Sequence, residues 1–266
     1  MLSKSKIKYI HSLALKKNRR ADSVFVAEGW KLVGDLLPCF TCRYLAATEE
    51  WYAAHPQFVP YFPADHDLVS EEELQRASLQ ENPQQVLAIF DQVQDDTPLA
   101  EVAPHELCLM LDGVQNPGNL GTIVRLADWF GIRHVYCSPD CADIYNPKTV
   151  QATMGALARV FLHYGELPAA LERLKDVAAA PVPVYGTFLD GENLYGKSLR
   201  PHGVLVMGNE GNGISLQVAR YVSERLFIPN YPPGRATSES LNVAIATAVV
   251  CAEFRRRSDS TLRCFN

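Results

Sequence analysis

From residue 107 onward, short apolar runs alternate with stretches whose apolar positions recur at helical spacing. Residues 107–111, 134–137, 182–188, 204–207 and 224–228 read as strands. Residues 122–130, 151–159, 168–176, 215–222 and 241–256 read as helices. Strand–helix alternation at this spacing predicts an α/β domain built on a mostly parallel sheet with both faces covered. By connection rules alone it would be an open, doubly wound sheet.

The pattern ahead of residue 107 is different. Over residues 5–20 apolar positions (Ile7, Ile10, Leu13, Ala14) are set against Lys6, Lys16 and Lys17, which predicts a short basic helix. A strand at 24–26 is followed by Glu28-Gly29 and a helix over 30–37. Further short elements at 44–47, 71–77 and 86–90 complete a small α/β domain. Residues 92–104 (QVQDDTPLAEVAP) are polar, acidic and proline-bearing, as a linker would be. The expected organisation is therefore a domain over 1–94, a linker over 95–106 and a larger domain over 107–266.

Charge sharpens this division. The 266-residue chain carries a net charge of −5, which by itself argues against a polyanionic partner. Residues 1–34, however, hold eight Lys/Arg against Asp22 and Glu28, a net +6, whereas residues 49–106 hold thirteen Asp/Glu against Arg76, a net −12. Screening confines each patch to about 8–10 Å, so the basic segment can still meet a polyanion locally. A solvated amphipathic helix would look the same. No apolar run approaches the roughly 18 residues of a membrane span, and the N-terminus lacks the apolar core of a signal peptide, so a cytoplasmic protein is expected. The seven cysteines are scattered and odd in number, which fits reduced thiols. Cys39 and Cys42 lack the further ligands that a zinc site needs, and no metal is expected. Walker, dinucleotide-binding, zinc-protease and nucleophile-elbow motifs are all missing from the sequence.

Candidate chemistry gathers in three blocks. Residues 111–131 (LDGVQNPGNLGTIVRLADWFG) lead from a strand through an Asn/Pro/Gly loop containing Asn119 into a helix. There Arg125 lies off the apolar stripe, about one turn in, where a guanidinium suits a phosphate. Residues 206–215 (VMGNEGNGIS) end a strand in three glycines that let a ligand approach the backbone, with the Glu210 carboxylate among them. Residues 228–253 (IPNYPPGRATSESLNVAIATAVVCAE) pass through a Pro/Gly/Ser loop into a helix apolar almost all round, which predicts its burial. Ser240 there could simply be the helix N-cap. Asn242, inside the first turn of a buried helix, must find partners for its amide.

In their order and spacing these blocks resemble the SpoU (TrmH) family of RNA ribose 2′-O-methyltransferases, of the SPOUT superfamily. Residues 151–158 (QATMGALA) and 187–191 (TFLDG) add to the resemblance, which is strong over 106–257. More loosely, residues 6–13, 25–32 (FVAEGWKL) and 82–90 (NPQQVLAIF) resemble the small RNA-binding domain of ribosomal-RNA members. Asn116 stands where many members have Asp. The resemblance implies an α/β domain with a C-terminal trefoil knot, preceded by a small α/β RNA-binding domain. It also implies a homodimer and S-adenosylmethionine as cofactor. Arg125 would act at the target nucleotide, and Asn119, Glu210, Ser240 and Asn242 would shape the catalytic loops. Thr187, Gly208, Ile228 and Leu241 would contact the cofactor, mainly through the backbone. The implied activity is 2′-O-methylation of RNA, with ribosomal RNA favoured by the extra N-terminal domain. The alternatives are a transfer-RNA methyltransferase and a catalytically inactive ribosome-assembly factor.

Overall fold

Helix and strand boundaries follow from local signals in both compact units of the computed structural model, which describes residues 2–177, 180–232 and 240–262, with the side chains of 177 and 258–262 excepted. One unit comprises the chain up to Gln94 together with Asp143–Ala158; the other comprises Asp95–Ala142 and the residues from Arg159 on. In the first unit the elements are α1 (Lys4–Ser12), α2 (Lys16–Asp22), β1 (Val24–Glu28), α3 (Trp30–Leu36), β2 (Cys42–Ala47), α4 (Glu49–Ala54), β3 (His66–Leu68), α5 (Glu71–Ala77) and β4 (Val86–Asp91). The sheet order is β1-β4-β2-β3, with β4 antiparallel to both neighbours and β2 parallel to β3. Ile10, Leu13, Val24, Val26, Leu74, Leu87 and Ile89 are buried together on one face of this sheet. A reciprocal capping box between Ser70 and Glu73 starts α5.

The single basic helix expected over 5–20 is two helices. Arg19 accounts for the break: it donates to Leu13 O and Ala14 O, both at 2.8 Å, satisfying carbonyls that a continuous helix would have used itself. Only 1% of the Arg19 side chain is exposed, and Nη2 pairs with Asp143 at 2.6 Å. Lys6 is also committed, to Asp65 at 2.7 Å and Asp67 at 2.8 Å. Two of the cations expected to be available to a polyanion are thus paired with the protein's own carboxylates, while Lys4, Lys8, Lys16, Lys17, Arg20 and Lys31 are exposed.

The second unit contains α6 (Leu99–Val102), β5 (Leu107–Asp112), α7 (Pro117–Trp129) and β6 (His134–Cys137). The chain then visits the first unit through α8 (Pro147–Thr153). It continues with β7 (Phe161–Tyr164), α9 (Leu167–Val177), β8 (Val184–Asn193), β9 (Gly203–Gly208), α10 (Leu216–Ala219), β10 (Glu224–Phe227) and α11 (Val243–Leu262). The six strands are ordered β10-β8-β9-β5-β6-β7, and every pairing is parallel. The fold is therefore mixed α/β with a parallel sheet. Residues of β5 and β9 are almost wholly buried, as strands covered on both faces require.

Three expectations are corrected here. Residues 95–106 are not a free linker, because Leu99, Val102 and Ala103 are buried in the same core as Cys108, Val204 and Val206. Residues 143–158, assigned to the larger domain from sequence, cluster with the first unit, and their helix runs over Pro147–Thr153, not 151–159. Asn146 caps that helix and Pro147 opens it. Strand β7 is not among the strands read from the sequence, although Phe161 and Leu162 follow Val160 in an apolar run; its own residues are half-buried or exposed. Among the described residues, no helix is long and apolar enough to cross a membrane.

Candidate active site

All six strands of the parallel sheet present their C-terminal ends at one edge. The strand order changes direction between β5 and β9, the place where such sheets bind ligands. The first two sequence blocks leave the sheet side by side there. Gly113, with φ of 76°, turns the chain out of β5. Its N–H donates to Ser138 Oγ at 2.9 Å, and its carbonyl accepts from Asn209 Nδ2 at 2.7 Å. Asn209 Oδ1 accepts from the N–H groups of Gly211 (2.9 Å) and Asn212 (3.1 Å), so this one amide folds the glycine loop and ties it to the loop after β5. A Cβ on Gly208 would lie 2.3 Å from the Gly213 carbonyl carbon, which no side chain could tolerate. Asp112 Oδ2 accepts from Ser215 N at 2.7 Å and fixes the far end of the loop. Cys141 Sγ accepts from Val114 N at 3.3 Å. The hydrogen bond from Cys137 lowers the Cys141 thiol to about 7, with Ser138 and Val114 adding to the effect against burial, while Cys137 itself is pushed well up.

Residues from all three blocks meet above this framework. Asn116 caps α7, accepting from Asn119 N at 3.1 Å, and Pro117 opens the helix. Asn119 Nδ2 donates to Glu210 Oε1. Asn242 Nδ2 donates to the same oxygen at 2.9 Å and to Asn119 Oδ1 at 3.1 Å. Glu210 Oε2 has no hydrogen-bond partner among the described residues. Asn242 Oδ1 accepts from Ala244 N (3.0 Å) and Ile245 N (3.3 Å), so Asn242 is the N-cap of α11. Two expectations change accordingly. Asn242 is exposed at the helix mouth, not buried inside the first turn, and Ser240 does not cap the helix. The helix is not buried all round either, for Ile245 is 56% exposed and Leu241, two residues before α11, 47%.

Arg125 stands apart from this network. It lies on the exposed face of α7 with Thr122 and Trp129, and among the described residues it makes no hydrogen bond or ion pair. The guanidinium is therefore available to an anion. Asp112 and Asn209, which fix the loops of this region, are the residues that sequence reasoning missed. Each looks like an ordinary polar residue at a strand end, and only the pairing of β5 with β9 reveals its partner.

Of the four residues expected at a cofactor, Thr187, Gly208 and Ile228 lie at or beside β8, β9 and β10, and Leu241 precedes α11. The ladder between β8 and β9 ends at Gly186 and Val206, so Thr187 and Gly208 lie beyond its last pair. Between β8 and β10, Arg225 pairs with Gly186 but Leu226 pairs with Glu192. Residues 187–191 thus leave the ladder and return, and Gly191 allows the close approach: a Cβ there would meet the Leu226 backbone at 2.6 Å. Ile228 follows β10 directly and is half-buried, as is Thr187. Backbone at Thr187 and Gly208 beyond the last β8–β9 pair, with apolar side chains at Ile228 and Leu241, fits the chemistry of an S-adenosyl group. Residues 233–239 of the third block lie outside the described residues, as does Cys264. The other six cysteines are free thiols. His134 Nδ1 and His163 Nε2 are 3.0 Å apart and His163 Nδ1 is bonded to Asp95 O at 2.7 Å, which satisfies two half-buried imidazoles through each other.

Comparison with known proteins identifies the family. The profile of the SpoU rRNA Methylase family matches residues 106–252, and that of an MRM3-like substrate binding domain matches residues 4–88. The chain is 30% identical over 259 residues to the 23S rRNA (guanosine(2553)-2′-O)-methyltransferase RlmP of Bacillus subtilis, covering 94% of this chain and 96% of that protein. The solved structure of a TrmH-family protein from Porphyromonas gingivalis superposes with a TM-score of 0.84 at 43% identity, covering 97% of this chain and 99% of that one. An AdoMet-bound rRNA methyltransferase from Sinorhizobium meliloti gives 0.83 at 30% identity over 97% and 96%. With a glycine loop and a capped helix bringing Glu210 and Asn242 to Asn119 at the sheet's switch point, and with the family profile spanning those same elements, the chain belongs to the SpoU rRNA methylase family.

Proposed function

We propose that this protein methylates the 2′-hydroxyl of a ribose in RNA, ribosomal RNA being its substrate class, with S-adenosylmethionine as methyl donor. The observation that carries the reading is the convergence of Asn119, Glu210 and Asn242, one from each block, with the unpaired Arg125 six residues further along α7. Thr187, Gly208, Ile228 and Leu241 would hold the cofactor. Bound there, it supplies a sulfonium methyl group.

Transfer requires the 2′-oxygen in line with that methyl and losing its proton as it attacks. Holding the nucleotide in place is worth roughly 7–11 kcal/mol of the barrier. Arg125 is suited to such holding, since a guanidinium with pKa above about 12 is a poor base but a good phosphate anchor, and it stabilises a forming alkoxide. Glu210 Oε2 is an acceptor open to a ribose hydroxyl, while Oε1 is held by the two amides. Ser240 sits two residues before the α11 cap and would shape the same loop.

Further features belong to this reading. Membership of the SpoU rRNA methylase family supports a C-terminal trefoil knot. Trp129 (82% exposed) and Ile245 present apolar surface on α7 and α11, which pack together, and this supports a homodimer. The exposed cations of α1 and α2 support RNA binding by the first unit. Ribosomal RNA as substrate would put the protein in the cytoplasm.

The test is to incubate the protein with labelled S-adenosylmethionine and either ribosomal or transfer RNA, then to map ribose methylation. The expected result is a 2′-O-methyl mark in ribosomal RNA. A mark confined to transfer RNA would change the substrate, and cofactor binding without transfer to either RNA would make the chain an assembly factor.

A further inference from the structure

One recess of the first unit plays no part in the site described above. Trp30, the first residue of α3, keeps 49% of its surface in contact with solvent. Its ring stacks on His55 with centroids 6.3 Å apart. His55 stacks in turn on the fully buried Trp51 at 5.1 Å, and its Nδ1 is bonded to Trp51 O at 2.9 Å. The indole is therefore a fixed platform. Beside it opens a recess of about 450 Å³, lined by Glu71, Gln75, Pro83, Gln84 and Gln85, within the roughly 300–1,000 Å³ of small-ligand sites.

The segment carrying Gln84 and Gln85 is fixed as well. Gln85 has a φ of 53°, unusual for a residue with a side chain. Its carbonyl accepts from Thr48 N, and the next carbonyl, of Val86, accepts from Gly29 N, both at 2.9 Å. Strand β1 and the start of α4 thereby hold the turn in place beside Trp30. Gln75 Nε2 donates to Glu81 O at 3.1 Å. The side-chain amides of Gln84 and Gln85 have no hydrogen-bond partner among the described residues.

A flat aromatic face next to neutral amides, each able to donate and to accept, matches the face and edge of a nucleobase. A phosphate does not fit, because Glu71 carries the one charge in the lining. We propose that the recess takes one unpaired base of the RNA substrate, stacked on Trp30 and bonded at its edge by Gln84 and Gln85, with the exposed Lys31 open to a neighbouring phosphate. This inference rests on the chain's being an RNA methyltransferase. A base inside a duplex has both faces covered, so the recess selects unpaired RNA.

The experiment uses the full chain and fluorescence anisotropy, with fluorescein-labelled oligoadenosine and oligouridine strands and an RNA duplex of the same length as probes. Trp30→Ala should weaken binding of the single strands roughly tenfold, a typical loss for one stacked base. Trp30→Phe should retain most of the affinity, and the Gln84→Ala, Gln85→Ala double variant should fall between the two. Duplex affinity should not change. Unaltered single-strand affinity in a folded Trp30→Ala protein would overturn the proposal, as would an equal loss on strand and duplex. Should Trp30→Ala fail to fold, the glutamine double variant decides by the same readout. Failure of the underlying RNA reading looks different: the unmodified protein would bind neither strand nor duplex, and this inference would fall with it.

Discussion

Glu210 Oε1 receives two amide donors, and each is also tied elsewhere, Asn119 to the first turn of α7 and Asn242 to the cap of α11. Asn242→Ala removes a donor and a cap together. It should cost about 1 kcal/mol of stability from the cap alone and slow methyl transfer severalfold, measured by thermal melting and by single-turnover rates. Arg125 is the opposite case. Exposed and unpaired, it contributes little to the fold, so Arg125→Ala should melt with the parent protein yet lose methyl transfer. Cofactor affinity should stay within a few-fold in calorimetry, because a guanidinium beside the sulfonium would repel it. Arg125→Lys should restore little where bidentate phosphate contact is needed; near-normal turnover of the alanine variant would remove Arg125 from the mechanism. Asn119, Arg125, Glu210 and Asn242 were legible in the sequence because their blocks placed amide, guanidinium and carboxylate groups at strand-to-helix turns. Asp112 and Asn209 were not, since their partners Ser215 and Gly113 lie about a hundred residues away and come close only through the β5–β9 pairing.

Helix α11 carries its own fastening. Glu253, 5% exposed, accepts from Arg256 and from Arg257 at 2.7 Å, and Arg257 reaches Tyr195 O at 2.6 Å, joining the helix to the connection between β8 and β9. The hydrogen bonds from Arg256 and then Arg257 lower the Glu253 carboxyl to about 2, well below the ordinary value of 4.5. A carboxylate depressed in the folded state stabilises it fully above the unfolded value, and that contribution is lost as pH falls from about 4.5 to about 2. Glu253→Gln should therefore lower the melting temperature at neutral pH, by the equivalent of about 1–2 kcal/mol given the solvent around Arg256, and the difference from the parent should shrink under acid. A constant difference across that range would show that the charge is irrelevant. Elements with long apolar runs, β5 and β9, stand where the pattern puts them, whereas α7 starts at Pro117, five residues ahead of the apolar periodicity, because Asn116 caps it. The pattern failed where tertiary contacts decide: at the Arg19-enforced break between α1 and α2, at β7, a short run only half-buried at the sheet edge, and at α6, whose acidic and proline-bearing sequence hid Leu99 and Val102.

At the scale of the whole molecule, the apolar residues left in solvent on α7 and α11 call for a partner surface. Light scattering at micromolar concentration should give about twice the 29.5 kDa of one chain. Replacing Trp129 and Ile245 with Asp should return the single-chain mass, whereas a monomeric parent protein would remove the dimer from the proposed function. Two units were legible from composition and charge, but their discontinuity was not, because residues 143–158 carry the same strand-and-helix rhythm as their neighbours. That discontinuity has a consequence during synthesis. The Arg19 guanidinium is buried against a carboxylate 124 residues further along the chain, and a buried cation without its counter-charge is strongly disfavoured. A ribosome delivering the chain from its N-terminus exposes the first unit's own strands early, yet that unit cannot close over Arg19 until the segment bearing Asp143 has emerged. By then β5, α7 and β6 of the second unit have already been made, so the N-terminal unit, first to be translated, is obliged to wait for the middle of its neighbour before it is complete.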